Sequence, residues 1–235
     1  MVALILLGVV AGFITTLTGL GGGVFLLIVL AWAMGPHQAL AVSALALIVG
    51  NLHRLYLYRR LLNRQVAGRV VLGVVPGALV GGLWASRLPE LWIHVFMLVI
   101  VGLALLRKLV PGQPTVPRAV LAPSGFAIGV ASGAAGGAGV LVSPLLLSSG
   151  VRGDAYLASS AFIAICMHLS RVLAYGAGGL VSEATLMSSA TLAVGIPFGN
   201  YLADKVRGWI GDGAVDGLAY ASLVVCAGLA VAGVA

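Results

Sequence analysis

Charged residues are scarce in this chain, and that scarcity excludes a soluble domain. Of its 235 residues, 61% are hydrophobic and 8% are charged, whereas soluble domains have about 25% charged residues. A core shielded from water cannot enclose so many apolar side chains, so most of the chain must lie in a lipid bilayer. We predict one all-α polytopic membrane domain over residues 1–235. The net charge of +7 arises in short loops, and it therefore indicates membrane orientation and no nucleic-acid partner.

Acidic residues are missing from the middle of every apolar segment. A cation carrier, or a proton relay through carboxylates, normally needs such a residue inside the membrane. Their absence therefore favours an anionic or neutral substrate. The six acidic residues lie in loops or at segment ends, at Glu90, Asp154, Glu183, Asp204, Asp212 and Asp216.

The chain also lacks the patterns of common enzymes and metal sites. Its two cysteines, Cys166 and Cys226, lie far apart inside apolar segments and give neither a disulfide framework nor a metal-ligand spacing. The motifs HExxH, GxSxG and GxxxxGK(S/T) do not occur. We therefore predict that the protein is not an enzyme and not a self-contained ATP-driven pump. No catalytic residue, metal or cofactor is expected.

Two of the eight apolar segments are too long for one membrane crossing, which takes roughly 20 residues. Each is interrupted, at Gly19-Leu20-Gly21-Gly22-Gly23 and at Gly136-Gly137-Ala138-Gly139. Because each glycine lowers helix stability by about 1 kcal/mol relative to alanine, both segments should break into helix pairs, which makes ten helices in all. The segments are Val2–Met34, Leu40–Tyr58, Val70–Ser86, Leu91–Leu106, Ala119–Gly150, Ala155–Tyr175, Ala184–Ala203 and Gly217–Ala235.

The two interrupted segments repeat one pattern. A shift of 117 positions carries Gly12 of GFITTLTGLGGGVFLL onto Gly129 of GVASGAAGGAGVLVSP. The duplication predicts two repeats, 1–110 and 118–235, joined by a linker at 111–117, and each repeat opens with a broken helix pair followed by three transmembrane helices. The same shift superimposes further pairs, namely Gly19 on Gly136, Gly22 on Gly139, Ser43 on Ser160, Asn51 on His168, Arg54 on Arg171 and Tyr58 on Tyr175.

The basic residues indicate how the repeats are inserted. If each broken pair returns to its starting side, ten of the thirteen Lys and Arg residues share one face and only Arg87 lies opposite; a single crossing would give seven against four. Since positive charge marks the cytoplasmic side, the returning arrangement is favoured. The repeats then have inverted topology, and both termini lie outside.

The broken helices are candidates for an anion site. A helix end leaves backbone N–H groups unpaired and carries partial positive charge, and glycine allows a ligand to approach closely. The alternative is that the glycines serve only close helix packing. The candidate backbone ligands are Gly21, Gly22, Gly23, Gly137 and Gly139.

A polar stripe recurs in both repeats. Its spacing of i, i+8 and i+11 places three side chains on one helix face, and arginine suits oxyanions because its planar fork donates several hydrogen bonds. The alternative is that both arginines extend to the lipid headgroups. If protons are coupled to transport, His168 and His53 are the candidates, because histidine titrates near neutral pH. The stripe comprises Ser43, Asn51 and Arg54 in the first repeat and Ser160, His168 and Arg171 in the second.

The glycine-rich opening GFITTLTGLGGG, followed by PHQALAVSAL, NLHRLYLY and VVPGALVGG, resembles the sulfite exporter TauE/SafE family of membrane permeases. The likeness covers essentially the whole chain. It implies a secondary transporter in the cell membrane, the inner membrane of a bacterium or archaeon, that moves a small sulfur-containing anion such as sulfite, thiosulfate or an organosulfonate. An anion channel built on the same helix ends is the alternative, and an intramembrane enzyme using His168 and Cys166 is a third class.

Overall fold

The computed structural model describes residues 1–19, 22–109, 115–137 and 139–232. These residues form ten α-helices and two short 3₁₀ turns, and no strand occurs among them, which confirms the predicted all-α polytopic class. The helices are α1 Val2–Thr18, α2 Gly22–Met34, α3 Pro36–Tyr58, α4 Arg64–Ala85, α5 Glu90–Leu109, α6 Leu121–Ala135, α7 Gly139–Ser148, α8 Gly153–Ala177, α9 Glu183–Arg207 and α10 Asp212–Ala232.

Both predicted helix breaks are present. The first helix pair is interrupted after Thr18, and Gly19 ends α1 in a left-handed conformation with φ 66° and ψ −3°. The second is interrupted after Ala135, where Gly136 and Gly137 both have φ 71°. Positive φ is readily adopted only by glycine, so the glycines fix the place where each helix pair turns.

Each broken pair returns to the side from which it starts. The amide of Val116, before α6, donates to the carbonyl of Ser148 at the end of α7 at 3.2 Å. In the first half, α1 runs parallel to α9, since Gly8 packs on Leu192 and Gly12 on Ile196. Helix α3 also runs parallel to α9, since Ser189 donates to the Val42 carbonyl and Asn200 to the Gly50 carbonyl. Helices α1 and α3 therefore share one direction, and the α1–α2 pair returns as well. The equivalent helices α3 and α8 are antiparallel, so the two halves have opposite directions, as the inverted-topology prediction requires.

The long helices α3 and α8 cross antiparallel at the centre. Arg171, near the end of α8, donates to the carbonyl of Leu40, near the start of α3. At the other ends, the amide of Asn63 donates to the hydroxyl of Ser159. Of the most apolar stretch of α8, 72% is buried, compared with 29% for α10. The central pair carries the polar stripe predicted from the sequence.

Among the described residues, four helices are long and apolar enough to cross a membrane, and α9 is not among them. Helix α9 is less apolar than these four because it lies between α1 and α3, where it buries polar side chains such as Asn200 and Ser189. The four spans are Pro36–Leu61, Arg64–Ala85, Gly153–Ala177 and Gly213–Val231. In the linker predicted at 111–117, residues 111–114 lie outside the described residues, and the division into repeats at 110 and 118 stays a prediction.

Two glycine seams join the broken helices to neighbouring long helices. On α4, a Cβ added to Gly73, Gly77 or Gly81 would lie 1.9–2.3 Å from a carbonyl oxygen of α6. On α9, a Cβ at Gly195 or Gly199 would lie 2.0–2.2 Å from a carbonyl oxygen of α1. These distances leave no room for a side chain, so the backbones touch directly, as in small-xxx-small packing.

Replacing Gly77 with leucine is expected to prevent correct assembly of α4 against α6. Its Cβ would lie 2.3 Å from the Phe126 carbonyl oxygen, and because backbone cannot yield as a side chain does, the cost should exceed the about 1–3 kcal/mol of ordinary overpacking. Size-exclusion profiles and thermal unfolding in detergent measure the effect. Gly68→Leu on the same helix, where a Cβ meets nothing within 4 Å, is the matched control. Equal stability of the two variants would contradict direct backbone contact between α4 and α6 at Gly77.

Candidate functional site

A small cavity lies between the two helix breaks and the central helix pair. Its volume is about 50 Å³, enough for several water molecules or one small anion. Among its walls are the first turns of α2 and α7 and the facing sides of α3 and α8. The described residues that line it are Thr15, Gly19, Gly23, Val24, Ser43, Leu47, Asn51, Arg54, Gly137, Gly139, Val140, Val142, Ser160, Ala164, Met167, His168 and Arg171.

Arg54 enters the cavity wall from α3 and is held by neutral groups. Its side chain is 3% exposed. Nη2 donates to Oδ1 of Asn51 at 2.8 Å, and Nη1 donates to the carbonyl oxygen of Thr15, near the end of α1, at 3.2 Å. Nε is buried without a hydrogen-bond partner. The guanidinium therefore joins the polar stripe to the first helix break.

Arg171 enters from α8 and is likewise held by neutral groups. It is 1% exposed. Nε donates to the hydroxyl of Tyr175 at 3.1 Å, and that hydroxyl donates to the carbonyl of Gly133 on α6. Nη1 lies 3.1 Å from Nδ1 of His168, and Nη2 donates to the carbonyl of Leu40 at 3.4 Å. Depth and hydrogen bonding both oppose the interpretation that this arginine extends to the lipid headgroups.

Asn51 and His168 have equivalent roles despite their different chemistry. Asn51 Oδ1 accepts from the arginine three residues later in its own helix, Arg54. His168 Nδ1 faces Arg171 at the same spacing, and because arginine can only donate, the imidazole nitrogen accepts. Each half thus has a hydrogen-bond acceptor at this position, an amide oxygen in the first and an imidazole nitrogen in the second.

No described carboxylate compensates the charge of the two arginines. Neither forms an ion pair with a described residue, and the described residues that line the cavity include no Asp or Glu. A buried charge without a partner is costly. The first turns of α2 and α7 add the partial positive charge of helix N-termini. The electrostatics of the cavity therefore favour an anion.

The glycines of the two breaks differ in their surroundings. Gly139, at the start of α7, has nothing within 4 Å of an added Cβ, and Gly23 has only the side chain of Leu47 at 3.4 Å. Gly137 combines φ 71° with a close contact to Val24. Gly22 is packed against α1, since an added Cβ would lie 2.3 Å from the Ala11 carbonyl oxygen. Gly22 does not line the cavity, and the packing interpretation fits it best.

The structure gathers most of the predicted site residues around this one cavity. Gly21 lies outside the described residues, and Gly22 faces α1. His53, the other candidate for proton coupling, does not line the cavity. Nine of the predicted site residues line it, namely Gly23, Gly137, Gly139, Ser43, Asn51, Arg54, Ser160, His168 and Arg171.

Sequence reasoning missed Tyr156 and Ser143, which stabilise the first break from the other half. The Tyr156 hydroxyl, on α8, donates to the carbonyl oxygen of Gly19 at 2.9 Å and is also hydrogen-bonded to the Ser143 hydroxyl on α7. A shift of 117 carries Ala39 onto Tyr156, so the repeat gave no signal for either residue. The only signal in the sequence was that Tyr156 is a tyrosine just inside an apolar segment.

A second cavity of about 200 Å³ adjoins the first on the basic face, the side of the fold to which the loops with ten of the thirteen Lys and Arg residues are assigned. Gly19 lines both cavities, and Tyr156 lines the second. Arg207 is also in the wall of the second cavity and forms an ion pair with Asp154 at 2.8 Å. The Tyr156–Gly19 contact therefore lies where the two cavities meet.

Comparison with known proteins gives one match. The profile of the family described as sulfite exporter TauE/SafE matches residues 4–231, nearly the whole chain. No curated protein and no solved structure matches it. A multi-pass helical fold and a family profile that covers both halves agree, and the chain belongs to the sulfite exporter TauE/SafE family of membrane transporters.

Proposed function

We propose that the protein is a secondary carrier for a small sulfur-containing oxyanion, such as sulfite or thiosulfate, that binds in the cavity between the two helix breaks. The membrane is the cell membrane, with the basic face toward the cytoplasm and both termini outside. The carrier works by alternating access, in which one half of the fold moves against the other around a fixed site.

The observation that carries this proposal is the pair of buried arginines, neither of which has a carboxylate partner among the described residues. Two unpaired guanidinium groups inside a membrane domain are costly, and they line a cavity together with the N-terminal turns of α2 and α7. An anion that accepts hydrogen bonds from Arg54, Arg171 and the backbone amides would remove this cost. A cation or an apolar molecule would increase it.

The size and shape of the cavity favour a compact anion. Its volume of about 50 Å³ suits an anion with few heavy atoms. Apolar side chains such as Leu47, Val142 and Met167 complete the walls. An organosulfonate with a large organic group would have to displace these side chains. We therefore propose inorganic sulfur oxyanions as substrates in preference to organosulfonates.

The contact between the two cavities favours a carrier over the alternative, an anion channel. Tyr156 holds the α1–α2 break and α7 together through Gly19 and Ser143 at the boundary between the binding cavity and the larger cavity of the basic face. A channel needs a continuous path through this boundary. A carrier needs a contact that breaks and reforms, and a hydrogen bond between two elements of opposite repeats is suited to that.

A binding screen followed by counterflow tests the proposed function. Thermal unfolding of the purified protein is measured with sulfite, thiosulfate, sulfate, methanesulfonate, acetate and potassium ions added in turn. We expect the inorganic sulfur oxyanions to raise the unfolding temperature, because a ligand that binds the folded state stabilises it by mass action. Stabilisation by acetate alone, or by no anion, would contradict the proposal.

Proteoliposomes then separate the carrier from the channel. A carrier preloaded with unlabelled anion accumulates labelled anion transiently, and its flux saturates with concentration. A channel gives currents that rise with voltage in planar bilayers and shows no counterflow. If conducting events are seen without counterflow, the protein is an anion channel and not a carrier, with the same binding site.

A further inference from the structure

We infer that His168 is a proton-binding site whose occupancy is coupled to anion binding, so that the anion crosses the membrane together with a proton. This inference rests on the proposed function, because it assumes that an anion occupies the cavity. It goes further by assigning the coupled ion, and by assigning it to the second repeat alone.

The hydrogen bond between Arg171 and His168 determines the state of the imidazole in the empty cavity. Nη1 of Arg171 lies 3.1 Å from Nδ1 of His168. Arginine has no acceptor, so Nδ1 must present its lone pair, and the ring is neutral with its hydrogen on Nε2. While this hydrogen bond lasts, no proton can bind at Nδ1.

The charges around His168 also favour the neutral imidazole in the empty cavity. Arg171 faces it from its own helix, with the Tyr175 hydroxyl behind that guanidinium, and Arg54 lines the same cavity from α3. The described cavity walls from α1, α2 and α7 bring no titratable side chain. The basic side chains of α4 and of the turn before it are exposed on the basic face and do not line the cavity. They are Arg59, Arg60, Arg64 and Arg69. With two positive charges and no anion, a third positive charge on His168 is strongly disfavoured.

Anion binding reverses both effects. An oxyanion in the cavity competes for the N–H groups of Arg171, and when Nη1 turns toward the anion, the lone pair of Nδ1 becomes free. The negative charge also offsets the positive potential of the two guanidinium groups. A proton from water can then form an N–H bond at Nδ1, and the imidazole becomes an imidazolium beside the bound anion. When the anion leaves, Arg171 returns to Nδ1 and the proton is released.

The first repeat provides an internal comparison. Asn51 occupies the equivalent position and accepts from Arg54 at 2.8 Å, but an amide binds no proton in the physiological range. The two halves therefore bind the anion with similar geometry, and one of them alone can titrate. Substituting His168→Asn would make both halves alike at this position.

Proton uptake on anion binding tests the inference. Thiosulfate is the probe, because it takes up no proton itself near neutral pH. Isothermal titration calorimetry in buffers of different ionisation enthalpy counts the protons bound, on either side of the ordinary histidine pKa of about 6.5. For the wild type we expect uptake approaching one proton for each thiosulfate bound. Its affinity should fall by up to about tenfold for each unit of rising pH in the window where uptake occurs.

His168→Asn is expected to take up no proton, and whatever its affinity, that affinity should no longer vary with pH. His53→Asn, which changes a histidine outside the cavity, should behave as the wild type. Thiosulfate binding by the wild type without proton uptake, or equal uptake by His168→Asn, would overturn the inference and leave the proposed function in place. Failure of the wild type to bind any anion of the screen would instead overturn the proposed function.

Discussion

The variant Gly139→Leu is expected to fold and to bind no anion. Gly139 begins α7, lines the cavity and has nothing within 4 Å of an added Cβ, so a leucine side chain can start there without displacing the backbone of a neighbouring helix. It would then extend into a cavity of about 50 Å³ and occupy the space of the ligand. We expect affinity to fall more than about a hundredfold, which corresponds to about 3 kcal/mol. Thiosulfate titration and thermal unfolding of the same preparation measure binding and folding.

Two matched variants separate loss of space from general effects of the substitution. Gly102→Leu introduces the same side chain into α5, where an added Cβ also meets nothing within 4 Å and the residue does not line the cavity. Gly139→Ala adds a single methyl group and should reduce affinity less. If Gly139→Leu binds thiosulfate as the wild type does, the anion does not occupy this cavity.

Replacing either buried arginine with methionine is expected to weaken anion binding without lowering the stability of the ligand-free protein. Hydrogen bonds to charged groups contribute about 1.5–3 kcal/mol each, so affinity should fall about tenfold to a hundredfold for one lost contact and further for two. Without its anion, each guanidinium is a buried charge with no carboxylate partner among the described residues, and replacing such a charge by an apolar side chain of similar volume is often neutral or stabilising. The unfolding temperatures of ligand-free Arg54→Met and Arg171→Met should therefore equal or exceed that of the wild type.

Arg59→Met is the control for the loss of one positive charge. Arg59 is exposed and lies over the ring of Tyr56, 4.2 Å from its centre, so its removal should change neither the affinity nor the unfolding temperature by much. Two results would be incompatible with our interpretation. One is unchanged affinity in both buried variants. The other is a large loss of ligand-free stability, which would show that the arginines serve the fold and not the anion.

The polar stripe and the glycine breaks were predictable because both follow from local rules. A run such as Gly19-Leu20-Gly21-Gly22-Gly23 cannot continue a helix, and the spacing of Ser43, Asn51 and Arg54 places them on one face whatever surrounds the helix. The internal repeat then assigned equivalent residues in the second half. Inverted insertion followed from counting basic residues on each side.

The difference between Gly22 and Gly139 was not predictable in the same way. The repeat superimposes them, and the sequence offered both as ligands of the anion. The structure packs Gly22 against the Ala11 carbonyl of α1, while Gly139 lines the cavity and has nothing within 4 Å of an added Cβ. Which glycine serves packing depends on how close the neighbouring helix comes, and no local pattern contains that distance.

The amino-acid sequence alone determined the helical membrane class, the two breaks, the inverted halves and the polar stripe, because each follows from composition, loop charge or the spacing of residues along the chain. Tertiary structure decided that Arg54 and Arg171 meet at one cavity and that Tyr156 connects the first break to the opposite half. These are distances between residues as much as 137 positions apart. They are set by the close approach of whole helices, and that approach depends on packing across the entire bundle.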